Sequence, residues 1–352
     1  MKLPSLSRRP RALLAMLAAL VFIAALAALA TGEVPPGAAL RVLLARLGLV
    51  SAGDVPFEHD QVVWGVRAPR VVFALVAGYG LSLCGTVMQG VFRNPLADPY
   101  LLGVAGGATA GAAAVIALDL DRAPLAESAG ALCGGLLAVS LVYRLSLTRL
   151  GRLSEYTLIL AGVAMAAFFG ALTSFLIYAS EGDDLQKIVH FLFGGTDRVT
   201  LGEVPVPLAV VAAGALCVQA AARDLDALAL GDDMAVHLGV DPRLVKKLFL
   251  ALATVLTAAI VALAGVIGFV GLIVPHVLRL VLGPGHRLLL PASGLAGALF
   301  LLACDTAART VAYPREVPVG IVTALVGAPV LVGLLRRPRA PGTAGGTRAG
   351  GR

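Results

Sequence analysis

Residues 12–31 read ALLAMLAALVFIAALAALAT, and from Ala12 to Ala30 no polar side chain interrupts the run. A helix needs about 20 apolar residues to cross the hydrocarbon core of a bilayer. The run does not alternate apolar and polar residues, as an outer-membrane strand would. The basic cluster before it, Arg8, Arg9 and Arg11, and the small residues Ala28-Leu29-Ala30 resemble a secretory signal. The apolar stretch is longer than a signal core and the rest of the chain is equally apolar, so an uncleaved first span is expected.

The same reading extends outward along the chain. Residues 71–90, 125–143, 156–179, 204–222, 248–269, 288–311 and 319–335 form further candidate spans. Residues 101–118 and 270–282 are weaker, the first small and glycine-rich, the second short and holding Pro275, His276 and Arg279. Of the 352 residues, 59% are hydrophobic and 14% are charged, against about 25% charged in soluble chains. The 41 glycines suit helices that approach closely in a membrane. The fold class is therefore all-α and polytopic, with eight to ten spans.

The net charge of +7 does not point to nucleic acid, because the basic residues are scattered over the links. With ten spans, 19 of the 28 lysines and arginines fall on the side of both termini and nine on the other. Cytoplasmic links carry the basic excess, so both termini are expected in the cytoplasm. Residues 1–11 read as a basic N-terminus, 12–336 as the membrane domain, and 337–352 as a disordered tail. Residues 38–50, broken by Arg41 and Arg46, read as an amphipathic helix at the outer interface.

Four segments could carry chemistry. Asn94-Pro95-Leu96-Ala97-Asp98-Pro99 is a rigid turn, since each proline fixes its own φ and restricts the residue before it; Gly103, Gly106, Gly107 and Gly111 then leave a smooth helix face. Residues 223–247 are the most polar stretch. Gly231-Asp232-Asp233 can start a short helix, Ala235 and Gly239 form a small-residue face, and Asp241-Pro242 read as N-cap and first position of the next helix. Arg67 and Arg70 lie at the outer end of a span, where an arginine can snorkel to water or await an acidic partner. Asp305 and Arg309 are an i, i+4 pair in the favourable order, and Asp305 is the best intramembrane ionisable residue. No second deep carboxylate accompanies it, which weakens the rival reading of an ion-coupled secondary transporter.

No enzyme constellation is expected. The five histidines are far apart, Cys84, Cys133, Cys217 and Cys304 form no CxxC, and no Gly-Lys dipeptide exists to build a phosphate loop. Catalytic residues, a metal site and cofactors are all expected to be absent.

Arg67-Ala68-Pro69-Arg70, Gln89-Gly90, Asn94 to Pro99, Leu101 to Val104, Leu160 to Ala164, Gly265 with Gly268 to His276, His286-Arg287 to Pro291, and Glu316 to Thr323 together resemble the FecCD family of importer permeases, which serves iron–siderophores, haem and cobalamin. The resemblance runs from about residue 12 to 336. It implies ten spans in the type II ABC importer permease fold, a homodimer, and a bacterial inner-membrane location. It also implies two ATPase subunits docked on residues 223–247 and a periplasmic or lipid-anchored binding protein on the other side. By analogy, Gly231, Asp232, Asp233, Ala235, Leu238, Gly239, Asp241 and Pro242 serve ATPase coupling. Arg67, Arg70 and Arg309 fall where cobalamin-carrying members present arginines to glutamates of the binding protein. Ser154-Glu155-Tyr156 stands at the inner gate, where such members have small hydroxyl residues; the bulk of Glu155 and Tyr156 departs from that pattern.

Overall fold

The computed structural model describes residues 10–32, 34–51, 55–123, 125–147 and 154–336. Residues 1–9 of the basic N-terminus and the tail 337–352 lie outside them. Helix is the regular structure throughout: α1 Pro10–Ala30, α2 Pro36–Arg46, α3 Phe57–Asp60, α4 Ala68–Val91, α5 Val104–Ala117, α6 Ala126–Leu145, α7 Glu155–Ala179, α8 Gly182–Phe193, α9 Pro205–Ala220, α10 Ala222–Ala229, α11 Asp232–His237, α12 Pro242–Ala264, α13 Val270–Leu282, α14 His286–Thr310 and α15 Val319–Leu335. A π-helical segment, Gln61–Arg67, joins α3 to α4. Among the described residues six helical segments are long and apolar enough to cross a membrane, or seven if α9 and α10, bent by 60°, are counted as one span. Helices α5, α13 and α15 are apolar but shorter.

Helix α4 is the axis of the bundle. Nearly all of its residues are buried, against α14, α13, α12 and α9. It carries Gly78, Gly80, Gly85 and Gly90, so neighbouring backbones come close. Gly78 faces the backbone of Gly297 on α14, and Gly85 faces the Gly271 carbonyl on α13; neither site has room for a Cβ. The second approach has a covalent cause. Pro275 has no N–H to offer the carbonyl four residues earlier, which is that of Gly271, and the freed carbonyl turns to Gly85. The glycines after the proline turn also pack: Gly107 and Gly111 meet Gly134 and Gly130 of α6, while Gly106 meets Ala166 of α7.

Helix boundaries depart from hydropathy at α12. It begins at Pro242, six residues before the apolar run, because Asp241 accepts hydrogen bonds from the backbone N–H groups of Arg243 and Leu244. It ends at Ala264 because Gly265 turns to φ 65°. The link 265–269 is non-helical and passes through the bundle, and both polar groups of Ile267 at its middle find a partner. Tyr100 donates its hydroxyl to Ile267 O at 3.0 Å and accepts from Ile267 N at 3.3 Å. Gly195 N donates to Ala264 O at 2.8 Å. Non-helical backbone at membrane depth requires such internal partners.

The outer helices are sparsely buried. Only Leu13 and Ala28 of α1 are buried. Helix α7 exposes Tyr156, Leu160, Val163, Phe168, Leu172, Phe175 and Tyr178, and α15 exposes Leu325, Val326, Val330 and Val332. Overpacking a tight backbone contact costs about 1–3 kcal/mol. Gly85→Ala should therefore lower the thermal unfolding midpoint of the purified protein, whereas Gly333→Ala, which meets open space, should not; this is measured by fluorescence-monitored thermal denaturation in detergent.

Candidate functional site

Polar side chains gather at the two ends of the bundle. At one end, Asp305 of α14 is fully buried. Arg70 Nε donates to Asp305 Oδ1 at 2.7 Å, and the Thr196 hydroxyl donates to the same oxygen. Arg309 Nε stands 3.3 Å from Oδ2, an ion pair without hydrogen-bond geometry. Arg70 Nη1 also donates to Glu316 Oε2 at 2.6 Å, whose side chain is half exposed. The cluster thus ties α4, α14, the α8–α9 link and the α14–α15 link together. Two of its cations reach α1 as well: Arg67 Nη1 donates to Leu29 O at 3.1 Å and Arg309 Nη2 to Ala28 O at 3.3 Å. Those carbonyls belong to the last turn of α1, where a cation meets the negative end of the helix dipole.

The three predicted arginines are therefore in one place, lining a cavity of about 250 Å³ with Glu316 and Tyr313. Arg70 and Arg67 are buried rather than displayed, and Arg309 is paired with Asp305 within the chain. Thr196 and Glu316 had no sign in the local sequence, since each reaches its partner through the fold. Near this end, α8 is held to the α5–α6 link by Lys187 Nζ, 2.7 Å from Asp121 Oδ2. That hydrogen bond holds the Asp121 carboxyl below the usual carboxylate range.

At the other end, residues 223–247 form α10, α11 and the start of α12. Gly231 takes φ 117° before α11. Asp232 accepts from Lys246 Nζ at 2.7 Å and lies 3.9 Å from Arg93 Nη2, so α11 is pinned to α12 and to the residue that precedes the proline turn. Asp233 shares the first turn of α11. The expected small-residue face of Ala235 and Gly239 does not form. Ala235 is fully buried, while Gly239 lies beyond the helix at φ 82° with open space around it. The outward surface is instead apolar and bulky: Leu230, Met234, Val236 and Leu238 are all exposed.

A second anchor was not foreseen. Helix α14 begins after Gly285 with no side-chain cap of its own. Asp226 of α10 supplies one, accepting from His286 N at 2.8 Å, and lies 2.7 Å from His286 Nδ1. Arg279 Nη2 lies 3.3 Å from His286 Nε2. A guanidinium can only donate, so Nε2 accepts and Nδ1 gives its proton to Asp226. The polar link, α13 and α14 meet in that one side chain.

The proline turn and the predicted gate are local structures. Asn94 Oδ1 accepts from Leu96 N at 3.0 Å, and Asp98 Oδ1 accepts from Tyr100 N at 2.7 Å. Pro95 lies exposed and Pro99 buried, the latter opening the 3₁₀ turn that carries Tyr100. Ser154 caps α7, its Oγ accepting from Thr157 N at 3.3 Å. Glu155 opens the helix and Tyr156 projects from it, three-quarters exposed.

The FecCD transport family model matches residues 12–337. The chain belongs to that family. FecCD relatives include the cobalamin import system permease protein BtuC of Halobacterium salinarum, 42% identical over 328 residues that cover 89% of this chain and 88% of the relative. The hemin transport system permease protein HmuU of Yersinia pestis is 37% identical, with 94% and 97% covered. A solved inward-facing structure of a metal-chelate type ABC transporter superposes with a TM-score of 0.80 at 31% identity, covering 92% of this chain and 98% of that one. Both chains of polar links described above lie inside the matched FecCD region.

Removing one partner from a buried ion pair costs about 3–5 kcal/mol because the other charge stays buried and unpaired. Asp305→Ala should lower thermal stability by that order. The double change Arg309→Met with Asp305→Leu should recover much of the loss, since Arg70 keeps Glu316 as its partner; both are measured by denaturation of the detergent-purified chain.

Proposed function

We propose that this chain is the membrane-spanning permease subunit of an ABC importer that moves a metal chelate of the cobalamin, haem or iron–siderophore class into the cytoplasm. The observation that carries the reading is the family match over residues 12–337, joined to a polar end that presents exposed apolar side chains on a pinned helix. Hydrocarbon does not reach the polar links, so exposed Met234, Val236 and Leu238 call for a protein partner. A separate ATPase is that partner.

In this reading α5, α13 and α15 complete ten spans. Fourteen, thirteen and seventeen residues give about 21, 20 and 26 Å of helix, and the non-helical backbone beside α5 and α13 makes up the remaining depth. Both termini face the cytoplasm, following the basic bias of the links. Two copies pair through α7 and α15, whose exposed apolar faces suit a second chain, and the substrate passes along the axis between them, with Ser154, Glu155 and Tyr156 at its inner mouth.

Transport proceeds by alternating access. ATP closes the partner subunits and moves α11. The movement passes through Asp232 to α12 and Arg93, and through Asp226 and His286 to α13 and α14. The equilibrium between the two orientations shifts only as far as ATP binds them differently. At the outer end a glutamate of a substrate-binding protein competes with Glu316 for Arg70, so the arginine cluster exchanges an internal partner for an external one.

The reading is tested in proteoliposomes. Uptake of cobalamin, haem or a ferric siderophore should require the partner ATPase and ATP; uptake driven by an ion gradient with the permease alone would favour a secondary transporter and overturn it. The double change Met234→Asp with Val236→Asp should abolish co-purification of the ATPase while leaving the thermal midpoint unchanged. Asp226→Ala should leave ATPase binding in place but reduce transport per ATP hydrolysed, since the link to α14 is gone; unaltered coupling would remove Asp226 from the path.

A further inference from the structure

Helices α6 and α12 pack side by side, and between them runs a groove of about 250 Å³. Its walls include Leu136, Val139, Leu250 and Val255. Of the three hydroxyls that line it, two are satisfied within their own helices: Ser140 Oγ donates to Leu136 O at 2.7 Å and Thr254 Oγ1 to Leu250 O at 2.7 Å. Along its length the groove therefore presents an alkyl surface, with the Tyr143 hydroxyl at one end. From Lys247 to Val255 it follows α12 for about 12 Å, within the depth of one leaflet of a hydrocarbon core about 30 Å thick.

The groove does not end blindly. At Tyr143 and Lys247 it opens into a polar cavity of about 800 Å³ at the 223–247 end, and those two residues line both spaces. The charges around this junction are unevenly committed. Asp232 is engaged by Lys246, and Asp241 is spent on capping α12. Arg144 at the last turn of α6, and Arg243 and Lys247 at the start of α12, are exposed and have no ion-pair partner among the described residues. The polar cavity balances Asp232, Asp233 and Asp241 against Arg243, Lys246 and Lys247, whereas the groove's own lining holds Lys247 and no carboxylate. The Tyr143 hydroxyl likewise has no hydrogen-bond partner among the described residues.

We propose that the α6–α12 groove is a binding site for one anionic phospholipid, its acyl chain along Leu136, Leu250 and Val255 and its phosphate on Lys247 and the Tyr143 hydroxyl. The continuity of an alkyl slot with the Lys247 ammonium and the Tyr143 hydroxyl at its mouth distinguishes this site from a protein-docking surface, because a water-soluble partner can reach the mouth but not the slot. The site adjoins Asp232 and Lys246, so a bound headgroup sits beside the pin that holds α11 to α12. The proposal rests on the reading of the chain as a bilayer-spanning permease, but not on its substrate or its ATPase.

The full-length permease, purified in detergent, is incubated with equal amounts of dioleoyl phosphatidylglycerol and dioleoyl phosphatidylcholine and examined by native mass spectrometry. One phosphatidylglycerol should be retained per chain in preference to phosphatidylcholine. Lys247→Ala should reduce that preference about fivefold, the worth of one basic residue near an anionic surface. Lys247→Arg should preserve it, and Arg287→Ala, elsewhere on the surface, should leave it unchanged. Ala251→Phe, at an exposed position on the groove floor, should fill the slot and remove the retained lipid without lowering the thermal midpoint. Equal retention of the two lipids, or a Lys247→Ala variant that behaves as wild type, means a non-selective lipid shell and overturns the proposal. Displacement of phosphatidylglycerol by the purified partner ATPase assigns the cations to a protein interface and overturns it as well. A chain that does not insert into liposomes at all would refute the permease reading instead, which separates the two failures.

Discussion

Inside an apolar bundle a backbone N–H or C=O has no water to turn to, and the fold is organised around that fact. The break between α12 and α13 leaves residues 265–269 non-helical, and one tyrosine hydroxyl satisfies both polar groups of Ile267. Tyr100 can do so only because Asp98 and Pro99 start its short 3₁₀ turn at the right place. The proline-rich turn is thus a device for positioning one phenol. The same constraint operates at Pro275, whose missing N–H frees the Gly271 carbonyl, and at Gly85, whose missing side chain lets that carbonyl approach.

Charge does at the two ends what backbone pairing does in the middle. Asp305 collects Arg70, Arg309 and Thr196 from distant parts of the chain, and Asp226 and Asp232 collect His286, Lys246 and Arg93. Each end of α14 is consequently fastened, by Asp305 within it at one end and by Asp226 beside it at the other. Helices α4, α13 and α14 share these fastenings and the close glycine contacts, so they form one stiff unit. Helices α7 and α15 share none of these ion-pair fastenings among the described residues and bury fewer side chains, though Gly162 and Gly320 bring them close to the carbonyls of Leu101 and Phe193. A packed unit with sparsely buried helices at its margin suits the alternating access proposed above, since interfaces of this kind switch between discrete packings rather than deform.

Local features were legible from sequence. The uninterrupted run from Ala12 to Ala30 marks α1, and Asp241-Pro242 mark the start of α12, because a cap is written in adjacent residues. The i, i+4 spacing of Asp305 and Arg309 marks their pairing. What could not be read was anything closed by the fold. Glu316 meets Arg70 across 246 residues and His286 meets Asp226 across 60, and no local pattern announces either contact. Ala235 and Gly239 mislead for a related reason. Spacing of four implies one helical face, but α11 ends at His237 and Gly239 leaves the helix in a left-handed conformation. The exposed Met234, Val236 and Leu238 then replace the expected small-residue surface.

Helix α1 buries little of itself and is held at its last turn by arginines from the Gln61–Arg67 segment and from α14. The contact between Ala28 and Arg309 spans 281 residues. During synthesis the Arg67 contact to Leu29 O is available early, while the seat of the first span against α14 waits until almost the whole polypeptide has left the ribosome. Assembly of this subunit is closed by its beginning and its end together, and a chain terminated before residue 309 would keep its opening helix on the Arg67 contact but without its seat on Arg309.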